Sequence, residues 1–205
     1  MAVDVQGSGL RIVASDDGTI LDLAPLQGIW TERQYLRMTD HSRRLLEFTD
    51  GVLEVLPMPT QMHQVISRFL LFAFFGFIHQ RGGTVLYAPL RLQTRPGKFR
   101  EPGLLLVQDA ADPRCRNDYW RGADLVVEIV SPNDQDRDTT DKVADYAEAG
   151  IPEYWIVNPE NETITVLRLE HERYTEHGLF RRDETASSAL LADFAVSVND
   201  VFDAR

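Results

Sequence analysis

The segment that most constrains this chain runs over residues 124–158 and reads DLVVEIVSPNDQDRDTTDKVADYAEAGIPEYWIVN. Residues 124–130 form a nearly continuous, β-branched apolar run, the pattern of a strand covered on both faces. Ser131-Pro132-Asn133 breaks it, and residues 138–149 have helical spacing until Gly150 supplies a left-handed cap. Ile151-Pro152 then leads into EYWIVN, a second apolar strand. Strand, helix, strand is the unit of an α/β fold, with a right-handed crossover if the two strands pair in parallel.

Inside the first strand stands Glu128, flanked by apolar residues. Burying a carboxylate there costs several kcal/mol, roughly, unless a cation, a metal or hydrogen-bond donors compensate it. Two readings are open, a structural ion pair and a chemical site. Four-residue spacing puts Asp138, Lys142 and Tyr146 on one face of the following helix, so a helix ammonium can meet the strand carboxylate. The plainer alternative is a solvated Asp-Lys pair worth about 0.3–0.5 kcal/mol. Asp124 shares the face of Glu128 by period two, or simply ends the strand near solvent. Tyr154 and Trp155 are read as core rather than as stacking groups.

The rest of the chain supplies more strands and one more helix. Residues 45–56, LLEFTDGVLEVL, are two alternating runs joined by Asp50-Gly51, a strong hairpin signal. Residues 61–80 carry apolar side chains at three- and four-residue spacing, predicting a core-facing helix that Gly82-Gly83 stops. Residues 84–93 and 103–110 read as strands separated by a basic polar loop over 94–102. Short closing strands are predicted at 163–169, 173–175 and 179–182, with loops near Glu160-Asn161 and His177-Gly178. Residues 1–28 show no period and read as an irregular arm. The chain of 205 residues, 43% hydrophobic, is predicted to form one α/β domain, a mixed sheet flanked by helices with its core over about 30–185.

Charge and composition bound the function. With 32 acidic against 21 basic residues the net charge is -11, which repels phosphate backbones at long range and argues against a general nucleic-acid coat. Screening over about 8–10 Å lets a local patch act independently, and Arg91, Arg95, Lys98 and Arg100 are the candidates for contact with nucleic acid. One cysteine, Cys115, excludes an intrachain disulfide framework and agrees with a cytoplasmic location. The most apolar run, residues 69–78, falls short of the about 18 residues a membrane span requires, so no membrane partner is expected. Its excess of phenylalanine leaves a homodimer face open as an alternative to the core.

The long segment resembles the Uma-two family of restriction endonucleases, a branch of the PD-(D/E)xK nuclease superfamily. The resemblance extends upstream through LLEFTDGVLEVLPMPTQMHQVISRFL, similar to the family's Glu-containing hairpin and His-bearing helix, and through FREPGLLLV, similar to its Arg-x-Pro-Asp strand. It implies a restriction endonuclease-like core and a metal-dependent DNA endonuclease, with DNA as partner and Mg²⁺ or Mn²⁺ as cofactor. It further implies Glu128 and the backbone carbonyl of Ile129 as metal ligands. Lys142 would be the catalytic lysine, carried on the helix because the usual position two after the glutamate is Val130. A hard divalent cation in such a place polarises the phosphate and lowers the pKa of its bound water.

One position departs from that pattern. Where the family has Arg-x-Pro-Asp this chain reads Arg100-Glu101-Pro102-Gly103, so the first metal-binding carboxylate is missing. Glu101 and Glu47 are candidates to compensate, and His63 matches the family's helix histidine or else caps a loop. Two functions follow as alternatives: a metal-dependent endonuclease impaired at Gly103, and a catalytically inactive nuclease-fold protein that binds nucleic acid or a protein partner.

Overall fold

In the computed structural model the described residues are 2–4, 11–13, 20–42, 44–131 and 140–205. Their contacts divide the chain into two compact units, Met1–Met58 with Arg95–Glu101, and Pro59–Thr94 with Pro102–Arg205.

The first unit opens with three short antiparallel strands, β1 (Ala2–Asp4), β2 (Arg11–Val13) and β3 (Ile20–Asp22), within the stretch that reads as an irregular arm from sequence. Helix α1 (Glu32–Thr39) begins with a capping box, in which Thr31 and Gln34 satisfy each other's backbone amides. The predicted hairpin forms as β4 (Leu46–Thr49) and β5 (Val52–Val55), turning through Asp50 and Gly51 at φ 47° and 89°. Its core stacks Tyr35 on Phe48 at 5.3 Å and sets it 5.1 Å from Phe99, while the Tyr35 hydroxyl donates to the Leu46 carbonyl at 2.9 Å. The Gln27 side chain clamps Leu53 by donating to its carbonyl at 2.9 Å and accepting from its amide at 2.8 Å.

The second unit holds α2 (Gln61–Ile78) and the strands β6 (Thr84–Tyr87), β7 (Leu92–Arg95), β9 (Leu104–Val107), β10 (Leu125–Ile129), β11 (Glu153–Asn158), β12 (Thr163–Glu170) and β13 (Arg173–Phe180). Between β7 and β9 lies β8 (Lys98–Arg100), which pairs with β4 in the first unit. Six strands make a mixed sheet in the order β13-β12-β11-β10-β9-β6, with β10 and β11 parallel and every other neighbour pair antiparallel. Helix α3 (Lys142–Glu148) joins the parallel pair, and Gly150 caps it at φ 69°. The start predicted for that helix, at Asp138, lies outside the described residues, as do Pro132 and Asn133 of the predicted break.

β10 and β11 are buried along their whole length, as their apolar runs require. On one face Ile66, Leu70, Phe74 and Ile78 of α2 pack over Leu106, Val127 and Trp155. On the other, Tyr146 of α3 packs with Val126, Tyr154 and Ile156. Trp155 and Tyr154 are core, as read. By length and composition α2 would also serve as a membrane span, but its buried stripe is accounted for by this sheet, while Phe72 and Phe75 remain exposed.

Besides the arm, four expectations need correction. The strand predicted over 84–93 is two, because the chain turns at Ala88-Pro89 after Tyr87 and the proline has no N–H to offer a ladder. The basic loop over 94–102 contains a strand, β8, whose partner is 50 residues away in sequence (Phe99 opposite Phe48, Lys98 opposite Thr49) and so invisible to local pattern. The loop predicted at His177-Gly178 is a bulge inside one continuous strand, β13, opposite Val166 and Leu167. Beyond the predicted core, β14 (Thr185–Ser187), β15 (Ala195–Ser197) and α4 (Val198–Phe202) complete the apolar face, with Phe194 stacked 4.4 Å from Phe74.

Candidate active site

Glu128 stands in the middle of β10 on the face that α3 covers, and Lys142 begins the first turn of α3. Lys142 Nζ donates to Glu128 Oε1 at 2.7 Å, and the Tyr146 hydroxyl, one helical turn on, donates to the same oxygen at 2.6 Å. The Gly103 amide, just before β9, donates to Oε2 at 3.3 Å. Both charged residues are buried, at 5% exposure each. The carboxylate is therefore compensated on both oxygens, as a buried charge must be.

His63 opens α2 within electrostatic reach of this pair. Burial lowers its pKa, the negative charge of Glu128 raises it, and the ammonium of Lys142 lowers it again, with burial the largest effect. Its Nδ1 lies 3.4 Å from Ser67 Oγ, and its backbone amide donates to the Thr60 cap at 3.2 Å. The His63 ring thus meets Ser67 on its own helix rather than a neighbouring loop, and the helix cap is Thr60.

Gly103 has an ordinary negative-φ backbone, so it is not required as glycine by conformation. A Cβ there would lie 3.1 Å from the Val127 carbonyl oxygen, a close fit that needs a shift of a few tenths of an ångström. A side chain at 103 would thus stand against β10 next to Glu128.

Glu47, Arg100 and Glu101 meet in the first unit. Glu47 is fully buried, with Oε2 3.5 Å from Arg100 Nε and Oε1 accepting the Glu101 amide at 3.1 Å. Arg100 is itself buried and also donates to Thr49 Oγ1 at 3.0 Å. Arg95 grips Asp50 with two bonds of 2.8 and 2.6 Å, which hold the Asp50 carboxyl below its usual pKa. Of the four residues named for nucleic-acid contact, Arg100 and Arg95 have their guanidinium groups committed to these internal partners, Arg91 donates to the Asp118 carbonyl at 2.8 Å, and Lys98 is half-buried. Asp124 terminates its strand in a structural role, accepting from the Gln108 amide at 2.8 Å and from Arg114 at 2.6 Å.

Sequence reasoning gave Tyr146 a position but no part; its hydroxyl completes the pair, and the four-residue spacing from Lys142 was the available signal. It passed over Glu153, a fully buried carboxylate that accepts from Trp155 Nε1, Ser188 Oγ and the amides of Ala189 and Leu190 at 2.6 to 2.7 Å. Three of those donors lie more than 30 residues downstream, so nothing local marked it.

A catalytic magnesium or manganese ion prefers several oxygens, usually with more than one carboxylate among protein and substrate ligands. Here one carboxylate is present with both oxygens engaged, position 103 offers no side chain, and among the described residues no three His, Cys, Asp or Glu side chains are grouped to hold an ion. The residues as they stand do not fit such a centre.

Fold and site together define a mixed α/β protein with a glutamate–lysine pair buried beside the parallel strands. The chain belongs to the Uma2 family, whose model, described as "Putative restriction endonuclease", matches residues 33–199. It is similar in fold to a crystal structure from Anabaena variabilis ATCC 29413, described as "a putative nuclease belonging to DUF820", with TM-score 0.64 and 20% sequence identity over 77% of this chain and 89% of that one. No curated protein matches it.

Proposed function

We propose that this chain is a restriction endonuclease-like protein that binds nucleic acid without cutting it. The observation that carries the non-cutting part of this reading is the saturation of Glu128 by Lys142, Tyr146 and the Gly103 amide, while the nucleic-acid part is supported by the family match. To take up a metal, the carboxylate would have to release a buried ammonium, whose stranding costs about 3–5 kcal/mol, and would gain an ion held by one carboxylate and the Ile129 carbonyl. The family's second carboxylate is what would tip that balance, and Gly103 does not supply it.

The test compares wild type, Gly103→Asp, and Gly103→Asp combined with Glu128→Gln on supercoiled plasmid with Mg²⁺ or Mn²⁺, alongside calorimetric metal titration. Wild type should leave the plasmid intact and show metal binding at least tenfold weaker than Gly103→Asp. Gly103→Asp should nick the DNA, and the added Glu128→Gln should abolish nicking. Metal-dependent cleavage by wild type that Glu128→Gln removes would overturn the proposal in favour of a working endonuclease.

A further inference from the structure

A groove of about 390 Å³ lies between the N-terminal half of α2 and the ends of β6 and β9, lined by Gln61, Gln64, Arg68, Leu71, Tyr87 and Leu104. Its position follows from the sheet register. Tyr87 ends β6 opposite Leu104, the first residue of β9, and Leu104 lies opposite Val127 of β10. Gly103 precedes Leu104, Glu128 follows Val127, and the amide of the one bonds the carboxylate of the other. The groove therefore lies on the α2 face of the sheet, one residue along β9 and β10 from the positions of the charged pair, whose Glu128 projects from the α3 face.

Its lining brings together four kinds of group. Leu71 and Leu104 give an apolar floor, Gln61 and Gln64 offer amides that both donate and accept, and Arg68 brings the one cation. Arg68 gives one N–H to the Arg205 carbonyl, and a guanidinium has four more. Tyr87 is 57% exposed on the outermost strand of the sheet, a large aromatic surface not used by the core. An aromatic face beside hydrogen-bonding amides and one cation is the chemistry that holds a nucleobase with its sugar or phosphate, and the volume suits a single nucleotide.

We infer that this groove is a subsite for one unpaired nucleotide, with the base stacked on Tyr87, its edge met by Gln61 and Gln64, and Arg68 facing the backbone. The choice of nucleic acid as ligand rests on the reading of the chain as a nuclease-fold binder; the groove's chemistry does not depend on whether the charged pair cuts. Net charge favours the unpaired form. A chain at -11 repels an extended duplex over many phosphates, whereas stacking on an aromatic ring works without charge.

The test is fluorescence anisotropy of the full chain with a labelled 12-nucleotide single strand and the matching duplex, in EDTA so that no cleavage intervenes. The single strand should bind tighter than the duplex. Tyr87→Ala should weaken single-strand binding about tenfold, Tyr87→Phe should keep it, and both should retain the wild-type circular dichroism because the ring is outside the core. Unchanged affinity in Tyr87→Ala, equal binding of duplex and single strand, or no single-strand binding by wild type would each overturn the subsite. Metal-dependent plasmid cleavage by wild type would sink the non-cutting reading while leaving these affinities to stand by themselves.

Discussion

At the scale of single residues, the buried pair sets the energetics. Lys142 and Glu128 are both almost inaccessible and hold each other at 2.7 Å. Removing one partner leaves the other charge buried and uncompensated, so Lys142→Ala should cost about 3–5 kcal/mol in urea denaturation. Glu128→Gln with Lys142→Met, which removes both charges at similar volume, should cost clearly less than the sum of the two single changes. An additive double variant would mean that the pair is not coupled. His63 adds a pH dependence. Its folded pKa is lowered chiefly by burial, so the unfolded chain binds the proton more readily. The stabilisation is full above the unfolded value near 6.5 and is lost as pH falls below it toward the folded value. His63→Gln should flatten the loss of stability measured between about pH 6.5 and pH 5 relative to wild type.

At the scale of elements, turns and caps were legible because their causes are local. Asp50-Gly51 specifies a turn with two positive φ values, and the chain makes it. Gly51 is doubly constrained, since a Cβ on it would meet the Gly28 carbonyl oxygen at 2.5 Å. Gly51→Ala should destabilise the first unit by more than the about 1 kcal/mol of an ordinary Gly→Ala mismatch, read as a drop in Tm. The same local logic placed α2 and the left-handed Gly150 after α3. It failed at β8, where a distant partner strand decides the conformation, and in the middle of β13, where a bulge against β12 keeps the strand continuous. A segment as polar as residues 94–102 reads as loop until Phe99 is seen opposite Phe48.

At the scale of the whole molecule, charge governs how any nucleic acid is met. Arg95 and Arg100 are paired internally with Asp50 and Glu47, so the basic stretch over residues 91–100 is poorly placed to displace counterions from a phosphate backbone. Single-strand affinity should then fall only gently with salt, with a log–log slope of magnitude below about 2 between 50 and 200 mM. A slope several times steeper would point to a basic track elsewhere on the surface.

What the sequence determined by itself was the strand–helix–strand unit over residues 124–158, the hairpin, α2, and the fact that Glu128 must find a compensating partner. Each follows from local periodicity, turn chemistry or the cost of burying a charge. The absence at Gly103 was also plain from the sequence, as a departure from a motif. Tertiary structure decided which groups satisfy Glu128, because Tyr146 Oη and the Gly103 amide reach it only once α3 and β9 are packed against β10. It decided, too, that Arg100 and Glu47 are interior partners and that Glu153 anchors residues 188–190. Those are distances between residues far apart in the chain, and they exist only after the sheet has fixed its register.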